Sequence, residues 1–137
     1  MKTYHFQYED KVRDYECDLQ GVVNNANYLH YMEHTRHEFL TSLGEDFSAL
    51  HDEGMDLFVA GIQIQYKHSL RSGDRYLSCL NVKKEGVKLV ISQDIYKLPE
   101  LVLASRGSVD CALVKNGRLS RGEYFDQLIE KVENKEK

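Results

Sequence analysis

The feature that most constrains the fold of this chain is a long stripe of large side chains with helical spacing. Across residues 27–43 these side chains recur every three or four positions, so they fall on one face of a helix. They are Leu29, Met32, Arg36, Phe39, Leu40 and Leu43. Asn24, Asn25 or Asn27 can cap its start. Gly44 can end it, which predicts a helix of about five turns. A helix of this length needs a broad apolar surface to cover it.

Most of the remaining chain follows the period of two that is typical of strands. Turn-forming residues separate these stretches at residues 71–74, 85–86, 98–100 and 115–118. The predicted strands are residues 4–12, 57–68, 75–84, 87–97 and 101–114. Their close spacing predicts antiparallel hairpins, and one long helix covered by such a sheet is an α+β fold. We interpret residues 45–54 as an acidic connector and residues 121–132 as a short last helix, after which the chain frays into solvent.

The size and charge of the chain exclude several classes of protein. Its 137 residues predict a single domain over residues 1–137. A net charge of −4 argues against a nucleic-acid partner, because phosphate binding depends on an excess of clustered Lys and Arg. Cys17, Cys79 and Cys111 form no C-x-x-C pair, which is typical of free thiols in a reducing compartment. The sequence has neither an apolar signal core nor an apolar run of membrane length, so we expect a cytoplasmic protein without a membrane partner.

The segment between Asp18 and Tyr28 carries the residues with the clearest chemistry. It places a carboxylate, Asp18, ahead of a glycine turn at Gly21 and just before the predicted helix. A helix start presents unpaired backbone N–H groups, and the positive end of its dipole, to a polarised oxygen. A carboxylate beside such donors supplies the two halves of an acyl-transfer site. On spacing alone, however, an Asp at this position is more typical of a turn or a cap.

Residues 12–29 resemble the signature of hotdog-fold acyl-CoA thioesterases of the 4-hydroxybenzoyl-CoA thioesterase type. In that family an Asp precedes a Gly-(Val/Ile)-Val turn, and Asn-Tyr or a similar pair follows at the head of a long helix. The residues that fit are Asp18, Gly21, Val23, Asn27 and Tyr28. The resemblance implies a hotdog fold, in which a long antiparallel sheet wraps around one central helix. It also implies a homodimer or homotetramer with the active site at the dimer interface, and hydrolysis of acyl-CoA without a cofactor.

The same resemblance implies roles for individual residues. Asp18 would activate water or attack the thioester. The backbone N–H groups of Val23, Asn24 and Asn25 would bind the oxyanion, and Tyr28 would lie against the substrate. Relatives usually carry Tyr or His at the position of Asn25. Its side-chain amide therefore either donates to the thioester oxygen or only caps the helix.

A second resemblance concerns plant-type acyl-carrier-protein thioesterases, which read Asp-x-Asn-x-His-Val-Asn-Asn over the corresponding stretch. The residues that match without gaps are Asp18, Val23, Asn24 and Asn25. The first Asn of that pattern becomes Gln20 and the His becomes Val22. Gln20 either orients a water through its amide or is solvated. Acyl carrier protein is therefore an alternative to CoA as the carrier of the acyl group.

A cluster of basic residues flanks the predicted turn at residues 85–86. Its members are Lys83, Lys84 and Lys88. The resembled family holds the phosphates of CoA with Lys or Arg on and near this hairpin, which implies that these lysines bind the phosphates. The alternative interpretation is an ordinary solvated turn.

The predicted helix also carries three histidines on one face. His30, His34 and His37 have a spacing that a metal site can use. A polar and partly exposed helix face explains them without a metal, and we expect no metal here. Arg36 interrupts the apolar stripe, so we expect it to be held between the helix and the sheet.

The sequence leaves more than one function open. Hydrolysis of acyl-CoA is the predicted activity, and hydrolysis of acyl carrier protein thioesters is the alternative within enzymes. A binding module for acyl thioesters without catalysis is a second alternative, because a fold does not fix a function. A dehydratase is disfavoured, since that type relies on a catalytic His near the helix start, which Val22 and Asn25 do not provide.

Overall fold

The computed structural model describes residues 2–136. The strands are Phe6–Lys11 (β1), Met55–Tyr66 (β2), Arg75–Glu85 (β3), Lys88–Lys97 (β4), Val102–Lys115 (β5) and Arg118–Leu119 (β6). The helices are Asn25–Ser42 (α1), Phe47–Asp52 (α2) and Glu123–Glu136 (α3), and a 3-10 turn spans Asp14–Glu16. The strands form an antiparallel sheet in the order β1-β3-β4-β5-β2, with β6 paired to β5. The predicted α+β class is confirmed.

α1 begins two residues before the predicted start, because Asn24 is the residue that caps it. The Asn24 Oδ1 accepts a hydrogen bond from the Ala26 N–H at 3.0 Å. At the other end Gly44 adopts a φ of +80°, and its N–H donates to Thr41 O at 2.9 Å. This left-handed glycine ends the helix as the sequence predicts.

The buried face of α1 differs from the predicted stripe. Its buried residues are Tyr28, Tyr31, Met32, Thr35, Arg36, Phe39 and Leu40. Leu29 is instead 36% exposed and Leu43 is half-buried. Hydropathy underestimates how deeply the two tyrosines are buried, because a tyrosine ring can be buried when its hydroxyl forms a hydrogen bond. The Tyr28 hydroxyl accepts from the Leu70 N–H at 3.1 Å, and the Tyr31 hydroxyl donates to Glu16 at 2.8 Å.

α1 approaches the sheet closely where β5 carries a glycine. A Cβ added at Gly107 would lie 2.8 Å from Met32 Cε and 3.1 Å from Gln63 O. Polar side chains also cross this contact, because Arg36 Nη1 donates to Gln93 Oε1 at 2.8 Å. The expectation that Arg36 is held between the helix and the sheet is confirmed.

Three local elements differ from those predicted. The connector at residues 45–54 holds α2, which Asp46 caps by accepting from the N–H groups of Ser48 and Ala49. α3 continues to Glu136, so the expected fraying after Val132 is wrong. β6 pairs with the end of β5 and has too few residues to show a period of two. Over residues 2–136, no helix is both long and apolar enough to cross a bilayer.

Candidate active site

A tight turn presents Asp18. Its N–H donates to Val22 O at 2.9 Å, and the Gly21 N–H donates back to Asp18 O at 3.0 Å. Gly21 has a φ of +78°, a conformation that side chains rarely adopt. The glycine of the motif is therefore required by the geometry of the turn.

This turn closes a short antiparallel ladder that leads into α1. Cys17 forms a bridge with Val23, and the Asn24 N–H donates to Glu16 O at 3.1 Å. The Asn27 side chain secures the same carbonyl, since its Nδ2 donates to Glu16 O at 2.8 Å. The ladder thus fixes the start of α1 relative to the turn that holds Asp18.

The N–H groups at the start of α1 differ in whether they have a partner. The Asn24 N–H is bonded to the ladder, as described above. The Ala26 N–H donates to Asn24 Oδ1 at 3.0 Å, and the Asn27 N–H donates to Asn24 O at 2.9 Å. Within residues 2–136, the Asn25 N–H has no hydrogen-bond acceptor. Asn25 therefore supplies a backbone donor without a protein acceptor at the positive end of the helix dipole.

Val23 and Tyr28 have structural partners. The Val23 N–H donates to Leu70 O at 2.8 Å, and the Leu70 N–H donates to the Tyr28 hydroxyl at 3.1 Å. Both side chains are buried. Burial also raises the pKa of Tyr28, which keeps the hydroxyl neutral. The structure therefore uses these two residues to attach the segment before β3 to the start of α1.

Gln20 contacts Asp18 in two ways. Its backbone N–H donates to Asp18 Oδ1 at 2.9 Å. With its amide nitrogen turned toward the carboxylate, the side chain also donates to Oδ1 and Oδ2 at 3.0 and 3.2 Å. Gln20 is exposed and Asp18 is half-buried, so the carboxylate is oriented while water can still reach it. From the sequence, Gln20 either orients a water or is solvated. In the structure, its backbone and its side chain both contact the Asp18 carboxylate.

Glu16 is a structural residue that no pattern in the sequence distinguishes. Its Oε1 accepts from the Arg13 N–H at 2.7 Å and from the Tyr31 hydroxyl at 2.8 Å. The Glu16 carboxylate therefore joins α1 to the turn at Arg13, whereas among the described residues the Asp18 carboxylate accepts hydrogen bonds from Gln20 alone. The signal in the sequence is weak, because both the partner on α1 and the acidic residue are common residue types.

Asp18 and Asn25 lie at opposite ends of this short ladder. Asp18 lies across the ladder from Val22, and Asn25 lies three residues beyond Val22. At the usual rise of a strand this separates the two backbones by about 10 Å. A carboxyl side chain on one side and a bound thioester on the other can span such a gap, with the thioester oxygen at the Asn25 N–H.

An apolar groove begins beside this helix start. It has a volume of about 470 Å³ and lies between α1, β2 and α3. Ala26 and Leu29 line it near the helix start, and Phe125 and Leu128 line it on the α3 side. The Tyr66 hydroxyl of β2 donates to Asn25 O at 3.3 Å, which joins the wall of the groove to the first turn of α1. A chain of methylene groups attached to a thioester at Asn25 can enter this groove.

The histidines of α1 are exposed, and His30 and His37 also line the groove. His34 Nε2 is 3.2 Å from the Tyr8 hydroxyl and 3.7 Å from Glu38, and His37 is 3.9 Å from Glu33. No group of three or more His, Cys, Asp or Glu side chains suited to a metal occurs among the described residues.

The three lysines of the β3–β4 hairpin lie far from Asp18 within one protomer. Asp18 is near the segment that precedes Arg75, whereas the hairpin is at the other end of β3, about 30 Å away at the rise of a strand. Each lysine also has an acidic partner. Lys83 lies 3.1 Å from Glu85, Lys84 2.9 Å from Asp126 and Lys88 3.6 Å from Asp110. The fold of the chain therefore does not bring the lysines and Asp18 into one site.

The sheet curled around α1 and the Asp18 turn define a hotdog fold of the thioesterase type. The sequence profile of the thioesterase-like superfamily matches residues 12–126, and the chain belongs to this family. The predicted family and fold are thus confirmed.

Two curated relatives and one solved structure illustrate the similarity. Acyl-acyl carrier protein thioesterase ATL3 of Arabidopsis thaliana, a chloroplastic protein, is 36% identical over 78% of this chain and 57% of its own length. A putative esterase of Aquifex aeolicus is 31% identical over 83% of this chain and 88% of its own. The crystal structure of Slr0204, a 1,4-dihydroxy-2-naphthoyl-CoA thioesterase from Synechocystis, has a TM-score of 0.82 at 18% identity, over 89% and 92% of the two chains. The chain spans little more than half the length of ATL3.

Proposed function

We propose that this protein hydrolyses acyl thioesters, with Asp18 as the catalytic carboxylate and the Asn25 N–H as the oxyanion donor. The observation that carries the proposal is the pairing of a half-buried, water-accessible carboxylate with the one unpartnered N–H at the described start of α1. The side-chain amide of Asn25 is exposed and adds a second donor near the same position.

The reaction can use Asp18 in either of two ways. As a base, Asp18 accepts a proton from water, whose oxygen attacks the carbonyl carbon. As a nucleophile, it attacks that carbon itself and forms an anhydride that water then cleaves. In both routes negative charge develops on the carbonyl oxygen, where the Asn25 N–H donates to it. Breaking of the C–S bond releases the thiolate, which takes up a proton. On the base route this step leaves the free acid; on the nucleophilic route it leaves the anhydride, and water then cleaves the anhydride to the acid and regenerates Asp18.

We propose CoA as the carrier of the acyl group, and acyl carrier protein as the second candidate. CoA follows from the 4-hydroxybenzoyl-CoA thioesterase type of the motif. The relative ATL3, an acyl-acyl carrier protein thioesterase, favours the second candidate. Both carriers present the thioester on the same pantetheine arm, so the site as described fits either.

The free thiols of Cys17, Cys79 and Cys111 agree with a cytoplasmic setting.

We propose that the active form is a homodimer or a tetramer of such dimers. β2 ends the sheet order, so one edge of its twelve residues has no neighbouring strand within residues 2–136. Phe58, Val59, Ile62 and Tyr66 of β2 are exposed. A long edge with apolar side chains is a template for a second copy. Pairing at β2 would also cover the open side of the groove.

In such an assembly, the hairpin lysines of one protomer can bind the phosphates of a CoA molecule held at the active site of another. Changing Lys83, Lys84 and Lys88 to Ala should raise KM for acyl-CoA, and the effect should shrink as salt rises. The kcat for the matching acyl-pantetheine should hardly change. Equal effects on both substrates would assign these lysines to the solvated turn.

The activity is tested with purified protein and one acyl group presented on CoA, on acyl carrier protein and on pantetheine. We expect release of free thiol well above the uncatalysed rate, and the ratio of kcat/KM values identifies the carrier. Tight binding of the same thioesters without hydrolysis would contradict the proposal and support a binding module.

Assembly is tested by sedimentation at micromolar concentration. We expect a dimer or tetramer for the wild type and dissociation for Ile62→Lys, which places a charge on the β2 edge. Gln7→Lys on β1, at the opposite edge of the sheet, is the matched control and should assemble normally. A fully active monomer would contradict the proposed architecture.

A further inference from the structure

The groove beside α1 contains one permanently charged side chain deep among apolar ones. Leu40, Ile91 and Phe125 are buried residues that line it, and Arg36 lines it with them. Arg36 is only 9% exposed. A guanidinium is costly to bury unless an acceptor meets it, so its presence in an apolar lining calls for a partner.

The protein supplies a hydrogen-bond acceptor for only part of the Arg36 guanidinium. Arg36 Nη1 donates to Gln93 Oε1 at 2.8 Å, and Gln93 Nε2 donates to Met32 O at 3.0 Å. This network fixes the guanidinium in place. Within residues 2–136, Arg36 forms no ion pair with a carboxylate, and Nη1 carries its one side-chain hydrogen bond. Burial lowers the pKa of Arg36, yet a guanidinium stays charged at neutral pH.

The nearest acidic residue along the helix forms no ion pair with Arg36. Glu33 also lines the groove, but it is exposed and lies 3.9 Å from His37, which shares its face of α1. The remaining donors of Arg36 are thus available to a ligand in the groove. A planar guanidinium suits an oxygen acceptor, and a carboxylate above all.

The position of Arg36 sets where such an oxygen would lie. Arg36 is eleven residues after Asn25, which is about 16 Å along the helix. Helical side chains lean back toward the helix start, which shortens this distance by part of the side-chain length. An oxygen that meets Arg36 is therefore remote from the thioester, near the far end of a medium-length acyl chain lying along α1.

We propose that Arg36 is a specificity-determining residue that selects acyl groups bearing an oxygen near their far end, such as an ω-carboxylate or ω-hydroxyl. The inference rests on the proposed function for the identity of the ligand. Arg36 would determine which acyl chain the groove accepts, whereas the motif at Asp18 determines only the reaction. A plain alkyl chain of the same length would place its methyl end against a charge.

The test compares three CoA thioesters of equal chain length: dodecanoyl, ω-hydroxydodecanoyl and dodecanedioyl. Each is assayed with the wild type, with Arg36→Met, which keeps length but not charge, and with Arg36→Gln, which keeps a donor. Arg75→Met is the matched control, because Arg75 pairs with Glu9 on the surface of the sheet. Binding of the corresponding amides, in which nitrogen replaces the thioester sulfur, is measured by calorimetry, and thermal melts report folding.

We expect the wild type to prefer an oxygenated chain over dodecanoyl by about tenfold or more, the scale of a hydrogen bond to a charged group. Arg36→Met should abolish or reverse that preference, Arg36→Gln should retain part of it for the hydroxyl only, and Arg75→Met should match the wild type. A wild type that prefers dodecanoyl, or a preference unchanged in the folded Arg36 variants, overturns the inference. If no thioester is hydrolysed, the proposed function fails, and the amide affinities still decide the role of Arg36.

Discussion

Replacement of Asp18 by Asn isolates the basicity of the carboxylate from its shape. Asn has the same size, and its Oδ1 can still accept from the Gln20 N–H, which Asp18 accepts at 2.9 Å. The turn itself depends on backbone bonds between Asp18, Gly21 and Val22, which the substitution leaves in place. The main loss is therefore the ability to accept a proton from water or to attack a carbonyl carbon.

The expected loss in rate is large because no neighbouring group can replace Asp18. Glu16 is the other carboxylate on the ladder, and two donors already occupy its Oε1. Losing a general base typically lowers kcat by roughly a hundredfold or more, equivalent to about 2.7 kcal/mol of transition-state stabilisation. Asn25→Ala should cost less, because the backbone N–H that we assign to the oxyanion remains. Binding should change little in either variant.

The assay follows thiol release from the best acyl-CoA with a chromogenic disulfide, over a range of substrate concentrations that separates kcat from KM. Asp52→Asn is the matched control, since Asp52 is an exposed carboxylate at the end of α2. Thermal melts establish that each variant is folded. A folded Asp18→Asn protein with a kcat close to that of the wild type would falsify the mechanism, and the histidines of α1 would be tested next.

Three smaller changes test the supports of the site. Glu16→Ala removes the acceptor of a tyrosine hydroxyl on α1 and should lower the free energy of urea unfolding by about 1–3 kcal/mol. Glu16→Gln keeps an acceptor and should lower it by less; equal losses in the two variants would contradict this role. Gly107→Ala forces a Cβ to within 2.8 Å of a side chain on α1 and should destabilise the fold by about 1–3 kcal/mol, while Gly61→Ala, with nothing within 4 Å, should be nearly neutral. The hydrogen bond that His51 donates to Asp56 raises the pKa of His51, so the stability that His51 adds is complete below the unfolded pKa and is lost as pH rises through the folded one. An NMR titration should find that shift abolished in Asp56→Asn, and an unchanged titration would rule out the contact.

The sequence predicted the elements whose signals are local. The period of the residues around Met32 and Phe39, the left-handed Gly44 and the glycine turn at Gly21 each depend on neighbours within a few positions, and each agrees with the structure. The same holds for Asp18, whose carboxylate lies in that turn. Local patterns fail where a polar group changes the balance, as with the buried ring of Tyr28, and where an element is too short to show a period, as with β6.

The choice among backbone donors could not be predicted, because it depends on carbonyls from distant segments. Val23 donates to Leu70 O, a contact between residues 47 positions apart that no spacing rule reveals. Only when that bond is known does Asn25 stand out as the free donor. The hairpin lysines are a second example of residues whose partners come from distant segments. They form a basic cluster in sequence, but Lys84 pairs with Asp126 of α3, which the fold brings to it.

β2 links the chemistry of the site to the assembly of the protein. Leu57, Val59 and Ile62 of β2 line the groove, and the Tyr66 hydroxyl at its end donates to Asn25 O, next to the free donor. The same strand carries the open edge of the sheet. A copy that pairs with β2 would therefore hold one wall of the groove and the first turn of α1 in place, whereas an unpaired β2 leaves both freer to move. We expect the activity per protomer to fall when the protein is diluted below its dimer dissociation constant and to return on concentration. Constant activity per protomer under dilution that sedimentation shows to yield monomers would separate the site from the assembly.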